Sequence, residues 1–440
     1  MEFFSQYVIP PTRGQLELLR YLLVLTYAIH LPFVGMVIGA TLLSLAFNAR
    51  DRDIANPTFA RMSKDLMDMV LPNRVVVLVF GVLPLPALWM IYGQWLSKST
   101  VSMFTLLPIG ALVVALSFVP LMAYRSSLDP AGRNSQVNFG LGGIGLATLL
   151  LGMYILIGAV VRFQDPERWH LAHDGFRWLL SFNVIWKFGH LLLSGLAITG
   201  CGILFFFFNW SGREPIRDAK YAQFMKNFGA SVLLATVILI PVIGFFYLIT
   251  TPTIALSGAV YVLAAATLVI LFLVFLLAYG AILSPRPRFG ARAFILVLAV
   301  FLLTGVGDQL TLVNATQEHS AALLTEADEI KAQIELEREA HRAASQVVDV
   351  ARGEEVFKTV CMTCHRMDER LVGPPLKTVL PKYAGNVDGL ISFIQKPEKV
   401  NPEYPPMPAP GLPLADIKSV AAYLLGEVDD AGTSTESPQH

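Results

Sequence analysis

Apolar residues in this chain fall into long blocks rather than into the short alternations of a soluble domain. Eight such runs recur through the first 310 residues, at 19–47, 75–96, 101–124, 139–161, 182–209, 228–249, 256–283 and 291–310. Each is near or above the roughly 20 residues that an α-helix needs to cross the hydrocarbon core of a bilayer, so the pattern predicts eight transmembrane helices. The last run is the shortest and holds Asp308 near its end, as a tilted span would allow. The pattern then changes. Residues 317–348, QEHSAALLTEADEIKAQIELEREAHRAASQVV, contain no Gly or Pro and are rich in Ala, Glu, Leu and Arg, which are strong helix formers. A helix of about 30 residues would reach about 45 Å. It is expected to be a solvated stalk or a helix packed on a partner subunit, with a plain spacer as the alternative. From 431 the tail AGTSTESPQH is small and polar and predicts disorder. The expected organisation is all-α: a transmembrane bundle over 1–310, a helical linker over 311–351, a small helical domain over 352–428 and a tail over 429–440.

Composition and charge narrow this. Hydrophobic residues make up 54% of the 440 and charged residues only 15%, which excludes an ordinary soluble protein. The 33 acidic and 33 basic residues cancel, so no bulk basic field for nucleic acid exists. No basic segment precedes a short apolar one at the N-terminus. No cleavable signal peptide is therefore expected, and the first span is expected to act as its own insertion signal. Loop charges orient the spans. The loops after runs one, three, five and seven carry Arg50, Arg52, Arg61, Lys64 and Arg74, then Arg125 and Arg133, then Arg213, Arg217, Lys220 and Lys226, then Arg286, Arg288 and Arg292. The alternate loops carry only Lys98, then Arg162, Arg168 and Arg177. The richer side is the expected cytoplasmic side of a bacterial inner membrane, which puts both termini in the periplasm.

The small domain holds the clearest chemistry. GEEVFKTVCMTCHRMD (353–368) contains CxxCH, the attachment signature of c-type haem: Cys361 and Cys364 bond the porphyrin and His365 supplies an axial imidazole. The third cysteine, Cys201, lies in an apolar run, and no disulfide framework is implied. RLVGPPL (370–376), FIQKPEKVNPEYPPMPA (393–409) and a final helix from about Leu414 follow. Together these resemble a class I cytochrome c domain over 352–428. That resemblance implies a Met in a Pro-rich segment as sixth ligand, which is Met407 here, with Pro374 and Pro375 in the segment that buttresses the proximal ring. Met362 and Met367 are rivals that lie close to the attachment loop. His/Met ligation suits electron transfer rather than substrate binding. Covalent haem attachment in bacteria is extracytoplasmic in this family, which agrees with the orientation from loop charges.

Of the eight histidines, only His30 and His190 sit inside apolar runs. Ionisable groups at such positions are rare and usually functional. Both lie about 15 Å from the outer ends of their spans. This matching depth suggests ligation of b-type haem, of one haem or of neighbouring haems. The alternative is that each merely bonds a neighbouring helix. His170 and His173, in an outer loop with Trp169 and Trp178, are further ligand candidates, though an interfacial role is the simpler expectation.

LVLTYAIHLPFVGMVIG (23–39) resembles the first helix of subunit I of the cytochrome bd-type quinol oxidases. VIWKFGHLLLSGLAITG (184–200) resembles that family's fifth helix, and YAQFMKNFGASVLLATVIL (221–239) the start of the next. The likeness covers roughly the first 250 residues. It implies that His30 ligates a high-spin haem, that His190 ligates a low-spin haem b near the quinol site, and that 211–226 is a cytoplasmic turn. The sequence also departs from that family. Residues 101–124 contain no Asp or Glu where the family has proton-supplying glutamates, and only 250–255 stand where the family has its long quinol loop. Spans seven and eight hold no Met to complete a low-spin haem, leaving Met153, Met36 and Met90 as weak alternatives. The expected function is electron transfer between a quinol pool and a periplasmic acceptor through one or more b haems and one covalent haem c, as a quinol–cytochrome c oxidoreductase. The alternatives are an oxygen-reducing oxidase subunit, or a non-enzymatic anchor for cytochrome c in a larger respiratory complex. Expected partners are the lipid bilayer, quinone or quinol, other membrane subunits and periplasmic cytochromes.

Overall fold

The computed structural model describes residues 10–54, 56–99, 103–128, 135–169, 177–212, 214–284, 289–344 and 347–433. His170, His173 and the tail from 434 lie outside these residues. The described residues are mostly helical and contain no strand. The chain divides into two compact units, Met1–Asp328 and Glu329–His440.

Besides short 3-10 turns, the described residues of the first unit form nine helices ahead of the helix in which the division falls: α1 (Arg13–Ile54), α2 (Pro57–Val70), α3 (Arg74–Trp95), α4 (Met103–Ser127), α5 (Ser135–Phe163), α6 (Phe182–Phe208), α7 (Ala219–Thr250), α8 (Gly258–Leu283) and α9 (Gly290–Ala315). All except the amphipathic α2 are long and apolar enough to cross a membrane, eight helices among the described residues. Their starts are set by local chemistry. Asn56 accepts from the Thr58 N–H ahead of α2, Asn73 from that of Val76, and Asp218 from those of Lys220 and Tyr221. Each satisfies a backbone donor that the first helical turn leaves without a partner. α1 is much longer than its apolar run, because the flanking polar residues at 13–18 and 48–54 continue the helix beyond the apolar block.

A close helix crossing joins α1 to α6. A Cβ on Gly195 would lie 2.6 Å from the Gly35 carbonyl oxygen, and one on Gly39 would lie 2.6 Å from the Gly195 carbonyl oxygen. The Thr199 hydroxyl donates back to the carbonyl of Gly195 at 2.7 Å and reaches that of Met36 at 3.3 Å. Small residues spaced by four let two backbones touch, the usual basis of helix association where no hydrophobic drive exists. The partners run 35 with 195 and 39 with 199, so α1 and α6 are parallel with a constant offset. α9 closes over this crossing, with Phe301 against Gly35 and Gly305 against Tyr27.

The division between the units falls inside α10 (Gln317–Ala344). The second unit then folds as α11 (Val350–Thr359), a 3-10 turn at Cys361–Thr363, the short α12 (Leu376–Val379), α13 (Val387–Gln395) and α14 (Leu414–Thr433). Its core contains Val356, Phe357, Leu380, Leu390, Val420 and Leu424. α11 and α14 cross so closely that a Cβ on Gly353 would lie 2.1 Å from the Ser419 carbonyl oxygen. Arg352 clasps Asp416 at 3.1 Å beside this crossing. α14 extends past 428, where the small domain was expected to end.

The α1–α6 contact yields a prediction. Gly195→Leu should cost the bundle about 2 kcal/mol or more, because the added atoms meet backbone and not a flexible side chain. Gly143, with nothing within 4 Å of its built Cβ, supplies the control Gly143→Leu. Thermal melting of the two variants in detergent checks this; indistinguishable melting curves would refute the contact's role.

Candidate haem-binding sites

In the second unit the segment that follows α11 is wound tightly by its own backbone. The amides of Cys364 and His365 both donate to the Cys361 carbonyl, at 3.1 and 3.0 Å. This one turn presents both sulfurs and the imidazole from five consecutive residues. Neither cysteine is held in a disulfide, and both are half-buried. The returning strand of chain is pinned by Gly373 N–H to Cys364 O at 2.8 Å and Leu376 N–H to Arg366 O at 3.0 Å. That brings the Pro374 carbonyl to 3.2 Å from His365 Nδ1. With Nδ1–H held there, Nε2 is the nitrogen left for a metal, the arrangement usual for ligating histidines. Gly373 passes so close that a Cβ would lie 2.3 Å from the imidazole Cε1.

Met407 is half-buried in the irregular segment between α13 and α14. That segment is tied to the attachment loop through Arg370. Its guanidinium stacks over the Tyr404 ring at 4.5 Å and donates to the Glu403 carbonyl at 3.3 Å. The structure thus links the CxxCH turn to the chain three residues ahead of Met407.

In the first unit the constant α1–α6 offset sets His30 level with His190. Each stands five residues before its glycine, Gly35 or Gly195. Both line one cavity of about 300 Å³. His30 is 1% exposed, and its Nδ1 lies 3.0 Å from the Phe80 carbonyl. That carbonyl is available for a local reason. Phe80 sits in a π-helical turn, Val77–Val82, and the residue four further on is Pro84, which has no N–H to give it. His30 Nε2 is buried with no hydrogen-bond partner among the described residues. A buried nitrogen left unpaired in this way calls for a ligand. His190 faces Gly244 of α7, whose built Cβ would lie 3.8 Å from its ring.

Reading the sequence did not single out a polar cluster that lines the same cavity. Lys187 Nζ donates to Asp308 Oδ1 at 2.8 Å and to Tyr247 Oη at 3.0 Å, and Tyr247 Oη donates to the same carboxylate oxygen at 3.4 Å. The Tyr27 and Tyr92 hydroxyls share a hydrogen bond of 2.5 Å alongside. The signal was present as one Lys and one Asp, each in an otherwise apolar run.

Residues 350–426 match the cytochrome c family. Cytochrome c-551 of Azotobacter vinelandii is 39% identical over 77 residues, which is 17% of this chain and 94% of that protein. Cytochrome c-551 of Pseudomonas denitrificans is 34% identical over 77 residues, again 94% of that protein. A cytochrome c2 of Rhodopseudomonas palustris is 54% identical over 41 residues, 9% of this chain and 35% of that protein. A domain of this kind carries covalently bound haem and transfers electrons, and here it is joined to helices fit to cross a membrane. Gly373→Val, which would drive a side chain into the His365 ring, should cut covalent haem to a small fraction of wild type. Haem staining of denaturing gels checks this, and full staining would overturn the packing argument. Through its C-terminal domain, the chain belongs to the cytochrome c family.

Proposed function

We propose that this protein carries electrons between a lipid-soluble quinol pool and a periplasmic acceptor, with b-type haem in the membrane bundle and haem c in the second unit. The observation that carries the membrane half is the His30 imidazole. Its Nδ1 is committed to a backbone carbonyl, and its Nε2 is buried without a partner on a cavity it shares with His190. Two imidazoles on an otherwise mostly apolar cavity are a donor set suited to haem iron. His30 and His190 are the residues assigned to hold b-type haem, on one haem or on two. In the second unit, Cys361 and Cys364 are the residues that would bond the porphyrin covalently, and His365 and Met407 those that would ligate its iron. The haems supply one-electron redox chemistry; the protein supplies ligands, orientation and exclusion of water.

The excess of Lys and Arg on one set of loops supports placing both termini, and with them the haem c domain, on the periplasmic side of a bacterial inner membrane. Periplasmic cytochromes or partner membrane subunits then complete the path. α4 contains no Asp or Glu, which favours an electron relay over an oxygen-reducing oxidase.

Reduced-minus-oxidised spectra with pyridine haemochrome quantification test this reading. Both b- and c-type haem are expected in the purified protein, and a c-type signal alone would refute the b-haem assignment. His190→Ala should remove b-type absorbance and leave the covalent haem; undiminished b-type absorbance would show that His190 is not a ligand. Met407→Ala should turn the c haem high-spin and lower its midpoint potential. An unchanged spectrum would point to a different sixth ligand.

A further inference from the structure

Beyond the Lys187–Asp308 pair, polar side chains continue toward the end of the bundle where α3, α5 and α9 finish. The helical ladder runs on across the junction of α9 and α10. The Thr316 N–H donates to Leu312 O at 2.9 Å, and the Ser320 N–H to Thr316 O at 2.8 Å. His319 follows Asp308 by close to three whole turns, so the two stand on one side of this helix about 16 Å apart. Thr311 and Thr316 lie between them, and both are buried. Neighbouring elements bring polar groups to the same line. Gln164, at the end of α5, donates from Nε2 to the Thr311 hydroxyl at 2.7 Å. Trp95, at the end of α3, donates from Nε1 to the Thr316 hydroxyl at 3.1 Å. The His319 ring lies against the backbone of Ser97 and perpendicular to Trp169.

This line is short of partners. Nine buried side-chain polar atoms have no hydrogen-bond partner among the described residues. Five of the nine belong here: Gln164 Oε1, Ser97 Oγ, Ser99 Oγ, His319 Nε2 and Arg20 Nε. Arg20 joins the line because its guanidinium stands over the Trp95 ring at 5.8 Å. Buried polar atoms without partners are rare in folded proteins, and a cluster of them is commonly completed by water, each molecule bonding two to four polar groups. The spacing suits that. Along the helix axis Thr311 and Thr316 are about 7.5 Å apart, and Thr316 and His319 about 4.5 Å, gaps that one or two bridging waters close. The inner end meets the cavity at Thr311, which lines it. The outer end is His319, which is half-buried and so reaches both the line and the solvent.

We propose that these groups hold a column of water that conducts protons from the cavity to the periplasmic face, with His319 as its outer proton carrier. Burial holds the His319 imidazole below its usual range, so at neutral pH its Nε2 keeps a lone pair that can take a proton from the column. The charged groups around it are Arg20 of α1, Lys98 after α3 with its partner Glu326 of α10, and the Asp165–Arg168 pair ahead of Trp169. The inference rests on the proposed function, in which a quinol gives two electrons to haem iron. Oxidation of the quinol to quinone then releases two protons, each electron reduces one ferric centre, and the column delivers the protons to the outer water.

The test uses the full-length protein in nanodiscs. X-ray hydroxyl-radical footprinting marks side chains that lie beside bound water. Trp95 is 0% exposed, so a dry interface leaves it unmarked, whereas the column requires it to be modified. Ser97→Val combined with Gln164→Leu should cut that modification about tenfold, since both remove polar atoms that hold water. Proton release is then followed with phenol red after oxidised protein is mixed with decylubiquinol. In wild type it should keep pace with haem reduction. His319→Ala should slow it about tenfold, and imidazole added to the medium should restore it, a rescue that a merely structural role would not show. An unmarked Trp95 in wild type would overturn the column, and it decides the matter if a variant fails to fold. Wild-type release from His319→Ala, or a loss that imidazole does not restore, would overturn the assignment of His319. A marked Trp95 in a protein that decylubiquinol does not reduce would refute the electron route and leave the column standing. Haem reduction with Trp95 unmarked would do the reverse.

Discussion

The membrane half of this molecule depends on one close contact, between Gly35 of α1 and Gly195 of α6. With no side chain on either residue, the helices meet backbone to backbone. Gly39 and Thr199 repeat the contact four residues on with the same offset. Everything at that offset is thereby brought level, and His30 and His190 are at that offset. Two imidazoles from segments far apart in sequence line one cavity, each five residues before a glycine of the crossing. The equal depth of the two histidines in their spans is therefore a consequence of packing.

A second constraint fixes how the histidines present themselves. His30 and His365 belong to different units and different chemistries, yet each commits Nδ1 to a backbone carbonyl, that of Phe80 or that of Pro374. In both cases proline supplies the means. Pro84 withholds the N–H that would have occupied the Phe80 carbonyl, and the Pro374–Pro375 pair holds an extended segment whose carbonyl cannot be drawn into a helix. A ring whose Nδ1–H is held offers Nε2 in one tautomer and one orientation. The same local device thus prepares a nitrogen donor in both units.

The spans, the small cytochrome domain and the CxxCH turn could be read from sequence because each is a local signal. Runs of apolar residues, a five-residue motif and a change to helix-forming polar residues do not depend on what the rest of the chain does. The features that escaped are those that need two distant segments at once. The Lys187–Asp308 pair joins positions 121 apart, and its two members look in sequence like isolated blemishes in apolar runs. The π-helical turn at Val77–Val82 has no compositional mark of its own, and its Phe80 carbonyl matters only because His30 lies opposite. The extent of α1 was underestimated for the opposite reason. Hydropathy marks where lipid ends, whereas a helix ends where its backbone donors and acceptors find other partners.

The ion pair also bears on the electrostatics of the cavity. A lone unit charge about 10 Å from a redox centre, at an effective dielectric of about 20, changes the balance between oxidised and reduced forms by roughly 1.7 kcal/mol. Lys187 and Asp308 at 2.8 Å largely cancel each other's field at that range. A pair kept only to fasten α6 to α9 would be a poor device, because well-packed apolar residues of similar volume often serve as well or better. Its placement beside His190, on the same cavity, gives it a different value. Displacing or neutralising either member would unbalance the cancellation, and the resulting field would act on the neighbouring histidine.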